Sequence, residues 1–111
     1  VKYVPKEELF RQSDALTIHI PHTDTTEGLV DAHSIALMKP GAFLINTSRP
    51  KLVDEVALIN ALETNALGGA GLDVFETEPL PRDHIYRKLH NVIATPHLGF
   101  VTEENYQIFF K

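Results

Sequence analysis

Apolar positions along this chain fall into short blocks whose spacing changes from one block to the next. ALTIHI, at 15–20, is rich in β-branched residues and predicts a strand. AFLINT, at 42–47, is apolar without alternation, as in a strand covered on both faces. AGLDVF at 70–75 and NVIAT at 91–95 predict two more strands, and VKYV at 1–4 a short one. Between them the period lengthens to that of helices. Residues 6–13 predict a short helix opening after Pro5, and 30–38 a second that stops at Lys39-Pro40-Gly41. Asp54 suits an N-cap for a third helix, with Val56, Leu58, Ile59, Leu62 and Ala66 at helical spacing and Gly68-Gly69 as its stop. Residues 21–28 read as a polar loop, and 103–110 as the start of a last helix.

Strands alternating with helices of about ten residues imply right-handed βαβ units and a parallel sheet, hence an α/β fold. Such sheets bind ligands beyond the carboxyl ends of their strands. Those ends are Ile20-Pro21, Thr47-Ser48-Arg49, residues 73–78 and Pro96-His97.

Composition narrows the function. The chain has 111 residues, room for one domain with a modest core. Its net charge is −5 with no Lys/Arg cluster, which argues against nucleic acid as a partner. There is no cysteine, which removes disulfides and thiolate chemistry and fits a cytoplasmic protein. No apolar run reaches the roughly 18 residues of a membrane span, and the N-terminus has no signal-peptide pattern. It begins without Met, on a strand-like segment, so a piece of a longer chain is expected. Asn46-Thr47-Ser48 matches a glycosylation pattern that nothing else supports.

Three side chains at strand ends carry candidate chemistry. Arg49 precedes a proline, which biases it to extended geometry and aims it over the sheet's edge. A guanidinium is a rigid fork that fits a carboxylate through two hydrogen bonds. Glu78 lies in a proline-stiffened segment, DVFETEPLP. His97 follows Thr95-Pro96 and is the residue type best suited to trading protons near neutral pH. Taken singly, each is more commonly a solvated or structural side chain. Asp73 interrupts an apolar strand, so its carboxylate needs partners, which a ligand amide or backbone N–H groups would supply. His19 with His22, and His84 with His90, lack a convincing third ligand, so no metal is expected. Gly69-Ala70-Gly71 precedes a strand, whereas a dinucleotide-binding GxGxxG loop must follow a strand and open a helix.

In order along the chain, IHIPHTDTTEGLV, MKPGAFLINTSR, VDEVALINAL, GAGLDVFETEPLP and NVIATPHLGFVTEENY resemble the D-isomer-specific 2-hydroxyacid dehydrogenases. The match runs from about residue 9 to 107. The resemblance implies NAD or NADP as cofactor and a small 2-keto or 2-hydroxy acid as substrate. It implies that Arg49 binds the substrate carboxylate, that His97 is the general acid in reduction and the base in oxidation, and that Glu78 orients His97 and favours its charged form. Ile20, Pro21, Thr26, Thr47 and Ser48 match positions lining the cofactor, and Asp73 the acid that meets the nicotinamide.

It also implies that this is the second half of a doubly wound dinucleotide-binding domain. The GxGxxG half and the substrate domain would lie elsewhere in a parent protein, which is expected to be a homodimer. The family usually has Gly where this chain has Pro50, which fixes φ near −65° and removes an N–H, so the local path is expected to change if the family's loop needs positive φ. Phe100 replaces a second glycine of some members. The competing expectations are a dinucleotide-sensing module without turnover, of the corepressor kind, and a freestanding α/β interaction domain. The intact Arg49, Glu78 and His97 favour the enzyme.

Overall fold

The structure, a computed structural model, describes residues 2–99 and 101–109. Four strands, β1 (Ala15–Ile18), β2 (Phe43–Asn46), β3 (Gly69–Leu72) and β4 (Val92–Ala94), form one parallel sheet in the order β1-β2-β3-β4. Each new strand adds at the same edge, so right-handed crossovers put the connecting helices on one face. These are α2 (Ala32–Leu37) and α3 (Glu55–Glu63), and α1 (Lys6–Gln12), which precedes β1, packs against α2 on the side away from α3.

The register sets Leu16, Leu44, Ala70 and Val92 in one row, and Ile18, Asn46, Leu72 and Ala94 in another. Leu16, Ile18, Leu44, Ala70 and Leu72 are buried with Phe10, Ile35, Met38, Leu58 and Leu62 in one cluster. Burying each such leucine stabilises the fold by about 1.5–3 kcal/mol. The alternate row, Thr17, Ile45, Gly71 and Ile93, belongs to the other face, where Ile93 is 74% exposed.

Several boundaries differ from the sequence pattern for local reasons. The expected helix over 30–38 starts only at Ala32, capped by Asp31, whose side chain accepts the Ser34 N–H at 2.9 Å. Val30 instead forms a parallel bridge with Val53, an extended role that suits its branched side chain. The third helix stops at Glu63, and Asn65 turns left-handed at φ 60°, which leaves Ala66 outside it. A Cβ on Gly68 would run into the carbonyl oxygen of Gly41, so the chain passes there at glycine distance.

The third strand ends at Leu72, earlier than expected; the Asp73 N–H still reaches the Asn46 carbonyl at 3.0 Å, while its carboxylate turns to other partners. The expected strand over 1–4 does not form at residues 2–4, where Tyr3 is 94% exposed and has no strand to pair with. Val1 lies outside the described residues, as does residue 110 of the expected last helix, seen as α4 (Glu103–Phe109).

Candidate functional site

Arg49, Asp73, Glu78 and His97 all follow the carboxyl ends of strands β2, β3 and β4. At the end of β4, His97 has φ 61°, a left-handed conformation costly for a residue with a Cβ. Its N–H bonds to the Thr95 carbonyl at 3.0 Å, which closes a tight turn over Pro96. The strain is held by Asp73. Its Oδ1 accepts from the Thr95 hydroxyl at 2.5 Å and the Leu98 N–H at 2.7 Å, and its Oδ2 from the Gly99 N–H at 2.7 Å. Burial pushes this carboxyl up, but the Thr95, Leu98 and Gly99 hydrogen bonds and the nearby His97 outweigh it, and the net displacement is downward. Asp73 is thus an anion at neutral pH that clips together the turn presenting His97.

Inside that turn, His97 Nδ1 lies 3.0 Å from Glu78 Oε2. An ionised carboxylate only accepts, so Nδ1 carries the proton of this bond and proton exchange is directed to Nε2. The other carboxylate oxygen of Glu78 accepts the Phe75 N–H at 3.1 Å. The hydrogen bonds from His97 and Phe75 hold the Glu78 carboxyl below its usual range. The segment carrying Glu78 is tied down further on. His84 bonds Glu55 on α3 at 3.0 Å through Nε2 and receives the Tyr86 N–H on Nδ1 at 3.1 Å.

Arg49 leaves β2 extended, at φ −141° and ψ 143°, and its Nη1 donates to the Ser48 carbonyl at 2.7 Å. Pro50 then opens a single 3-10 turn over Pro50–Leu52, a place where its missing N–H costs nothing. The proline therefore fits the local path without strain.

Nearby, the Ser48 hydroxyl donates to the Ile20 carbonyl at 2.6 Å, and the Thr26 hydroxyl to the Pro21 carbonyl at 2.8 Å. Ile20, Pro21, Thr26 and Ser48 are thereby one hydrogen-bonded group, with Thr47 exposed beside it. His19, Ile20, Pro21, His22, Ser48 and Arg49 line a groove of about 540 Å³.

Of the paired histidines, His19 lies 2.9 Å from the Thr17 hydroxyl and His22 3.9 Å from Glu27, while His84 is bonded to Glu55. Among the described residues no group of three His, Asp or Glu side chains is placed to share a metal ion, and no helix is long and apolar enough to cross a membrane.

Two contributors escaped the motif reading, Asn46 and Thr95. Asn46 is 2% exposed, and its side chain is fully used by Ser48 and Arg49, which rules out the glycosylation pattern. A polar residue closing a buried apolar strand was the available signal for it.

Comparison with known proteins defines the class. Residues 1–99 match the family model described as D-isomer specific 2-hydroxyacid dehydrogenase, NAD binding domain, and the chain belongs to that family. A hydroxypyruvate reductase of Thermotoga maritima is 45% identical over 107 residues, covering 94% of this chain and 35% of its own length. A D-lactate dehydrogenase structure from Sporolactobacillus sp. superposes with a TM-score of 0.86 at 40% identity, over 96% of this chain and 36% of that one. An acyclic imino acid reductase, solved with NADPH and D-Arg, superposes at 0.85 with 38% identity, over 94% and 33%. The chain thus spans about a third of these relatives' length. Its four parallel strands and crossover helices are the Rossmann-like α/β architecture expected from the sequence.

The family implies a nicotinamide dinucleotide, and the residues present suit part of one. The groove at the ends of β1 and β2 offers the aliphatic Ile20 and Pro21 beside hydroxyls. A carboxylate has about four acceptor positions, and the three donors on Asp73 leave one on Oδ2 for an amide N–H.

Proposed function

We infer that this segment supplies the proton-transfer and carboxylate-binding half of an NAD(P)-dependent dehydrogenase that interconverts a 2-keto acid and a D-2-hydroxy acid. The observation that carries this reading is the His97–Glu78 pair, joined at 3.0 Å on a strained turn at the ligand edge of the sheet. Family membership and relatives named hydroxypyruvate reductase and glyoxylate reductase support it.

A bound reduced nicotinamide supplies the hydride to C2 of the keto acid. The guanidinium of Arg49 holds the substrate carboxylate and offsets the charge that gathers on the keto oxygen. His97 gives the proton on Nε2 to that oxygen, so hydride and proton together complete the hydroxyl. Glu78 stays ionised and stabilises the imidazolium before transfer. In oxidation, His97 takes the hydroxyl proton back. Ile20, Pro21, Thr26, Thr47 and Ser48 would line the cofactor, and Asp73 would accept a hydrogen bond from its amide. Substrates of the class are glyoxylate, hydroxypyruvate, pyruvate and phosphohydroxypyruvate.

The full-length protein carrying this segment should oxidise NADH or NADPH in the presence of one of these acids. Dinucleotide binding without turnover of any of them would replace this reading with that of a sensing module.

A further inference from the structure

We propose that Asn46 and Pro50 are positioning residues for Arg49, fixing from either side the peptide that aims its guanidinium. The proposal rests on the reading of Arg49 as the carboxylate-binding residue.

Asn46 is the last residue of β2, in the row with Ile18 and Leu72. It is 2% exposed, so its side chain cannot itself meet a substrate. Instead it spans the turn that follows. Oδ1 accepts the Ser48 N–H at 3.0 Å, a side-chain imitation of a backbone turn, and Nδ2 donates to the Arg49 carbonyl at 2.9 Å. No other residue type of this size offers an acceptor and a donor on one planar group.

From the far side, Pro50 restricts Arg49 to extended geometry and starts the 3-10 turn. The Leu52 N–H reaches the Arg49 carbonyl at 3.4 Å, and the Val53 N–H the Pro50 carbonyl at 3.2 Å. Leu52 is wholly buried and Val53 is bridged to Val30, so the turn is anchored in the core. The Arg49 carbonyl is therefore held by a buried amide on one side and an anchored backbone N–H on the other, while its exposed guanidinium bonds back to the carbonyl of Ser48, whose N–H Asn46 also holds. Misplacing a binding group by about 1 Å can cost a hundredfold in rate.

The test is a double-mutant cycle on kcat/KM in the full-length protein, with keto-acid reduction measured for Asn46→Ala, Pro50→Gly, Arg49→Ala and the two double variants. Asn46→Ala should lose about 10- to 100-fold, and Pro50→Gly about two- to fivefold from the restored freedom of the turn. In the Arg49→Ala background neither should change kcat/KM measurably, because residues that act through Arg49 are not additive with its removal. Equal losses in both backgrounds would overturn the proposal, as would harmless single variants. If Asn46→Ala does not fold, the Pro50→Gly cycle decides alone by the same criterion. An Arg49→Ala variant that keeps kcat/KM within about tenfold would instead overturn the role of Arg49 itself, and the positioning proposal with it.

Discussion

Asp73 and Gly99, 26 residues apart, are joined by a 2.7 Å hydrogen bond from the backbone N–H of one to the carboxylate of the other. With the Leu98 and Thr95 bonds it makes one buried anion the clasp of the His97 turn. Asn at this position has a single acceptor oxygen and would set an NH₂ group against a backbone N–H. Asp73→Asn should therefore free the turn and reduce kcat/KM at least about tenfold, since positioning errors are costly in catalysis. Steady-state reduction assays at saturating cofactor check this.

The same anion gives a pH signature. Its folded pKa lies below its ordinary value of 3.8, so the stability it contributes is complete above the unfolded carboxyl's range and is lost as pH falls through the lower folded value. The hydrogen-exchange protection of the Leu98 and Gly99 amides should persist from neutral pH down to about pH 4 and be lost only below it. Protection already lost near pH 6 would mean that another group holds the turn.

Arg49→Lys keeps the charge and loses the planar fork. By analogy with removal of one transition-state donor, kcat/KM in the full-length protein should fall by a factor corresponding to about 2–4 kcal/mol. A loss under about tenfold would make Arg49 an ordinary surface residue.

The ligand edge was legible because strand ends are marked by where apolar runs stop, and three of those stops carried Arg49, Glu78 and His97. The motifs in order then identified the family. Pairings across sequence were not legible. Nothing local at Asp73 says that its carboxylate closes on residues 95–99, because that contact exists only once β3 and β4 lie side by side. Val30 misled for a similar reason. Its helical spacing is real, but its partner, Val53, is set by the path of the Arg49 turn. Pro50 itself sits at the first position of a 3-10 turn, where a proline is accommodated, which the sequence around it did not announce.

The 111 residues alone should not reduce a keto acid. Their β1–β2 groove is open, and among the described residues no glycine-rich strand-to-helix turn is present to cradle a pyrophosphate. NADH or NADPH oxidation by the purified chain with glyoxylate or hydroxypyruvate checks this, and measurable turnover would mean that the groove is sufficient by itself.

The division of labour between His97 and Glu78 is tested most directly by steady-state reduction kinetics of Glu78→Gln and His97→Gln, singly and combined, in the full-length protein. His97 supplies the proton from Nε2, while Glu78 stays ionised and accepts the Nδ1 hydrogen bond at 3.0 Å. Glu78→Gln preserves shape and removes the charge, so reductive kcat/KM should fall at least about tenfold. His97→Gln should remove most of the turnover, and adding Glu78→Gln to it should cost little more, because Glu78 acts through His97. Losses that add in the double variant, or a His97→Gln variant at full rate, would take proton transfer away from this pair.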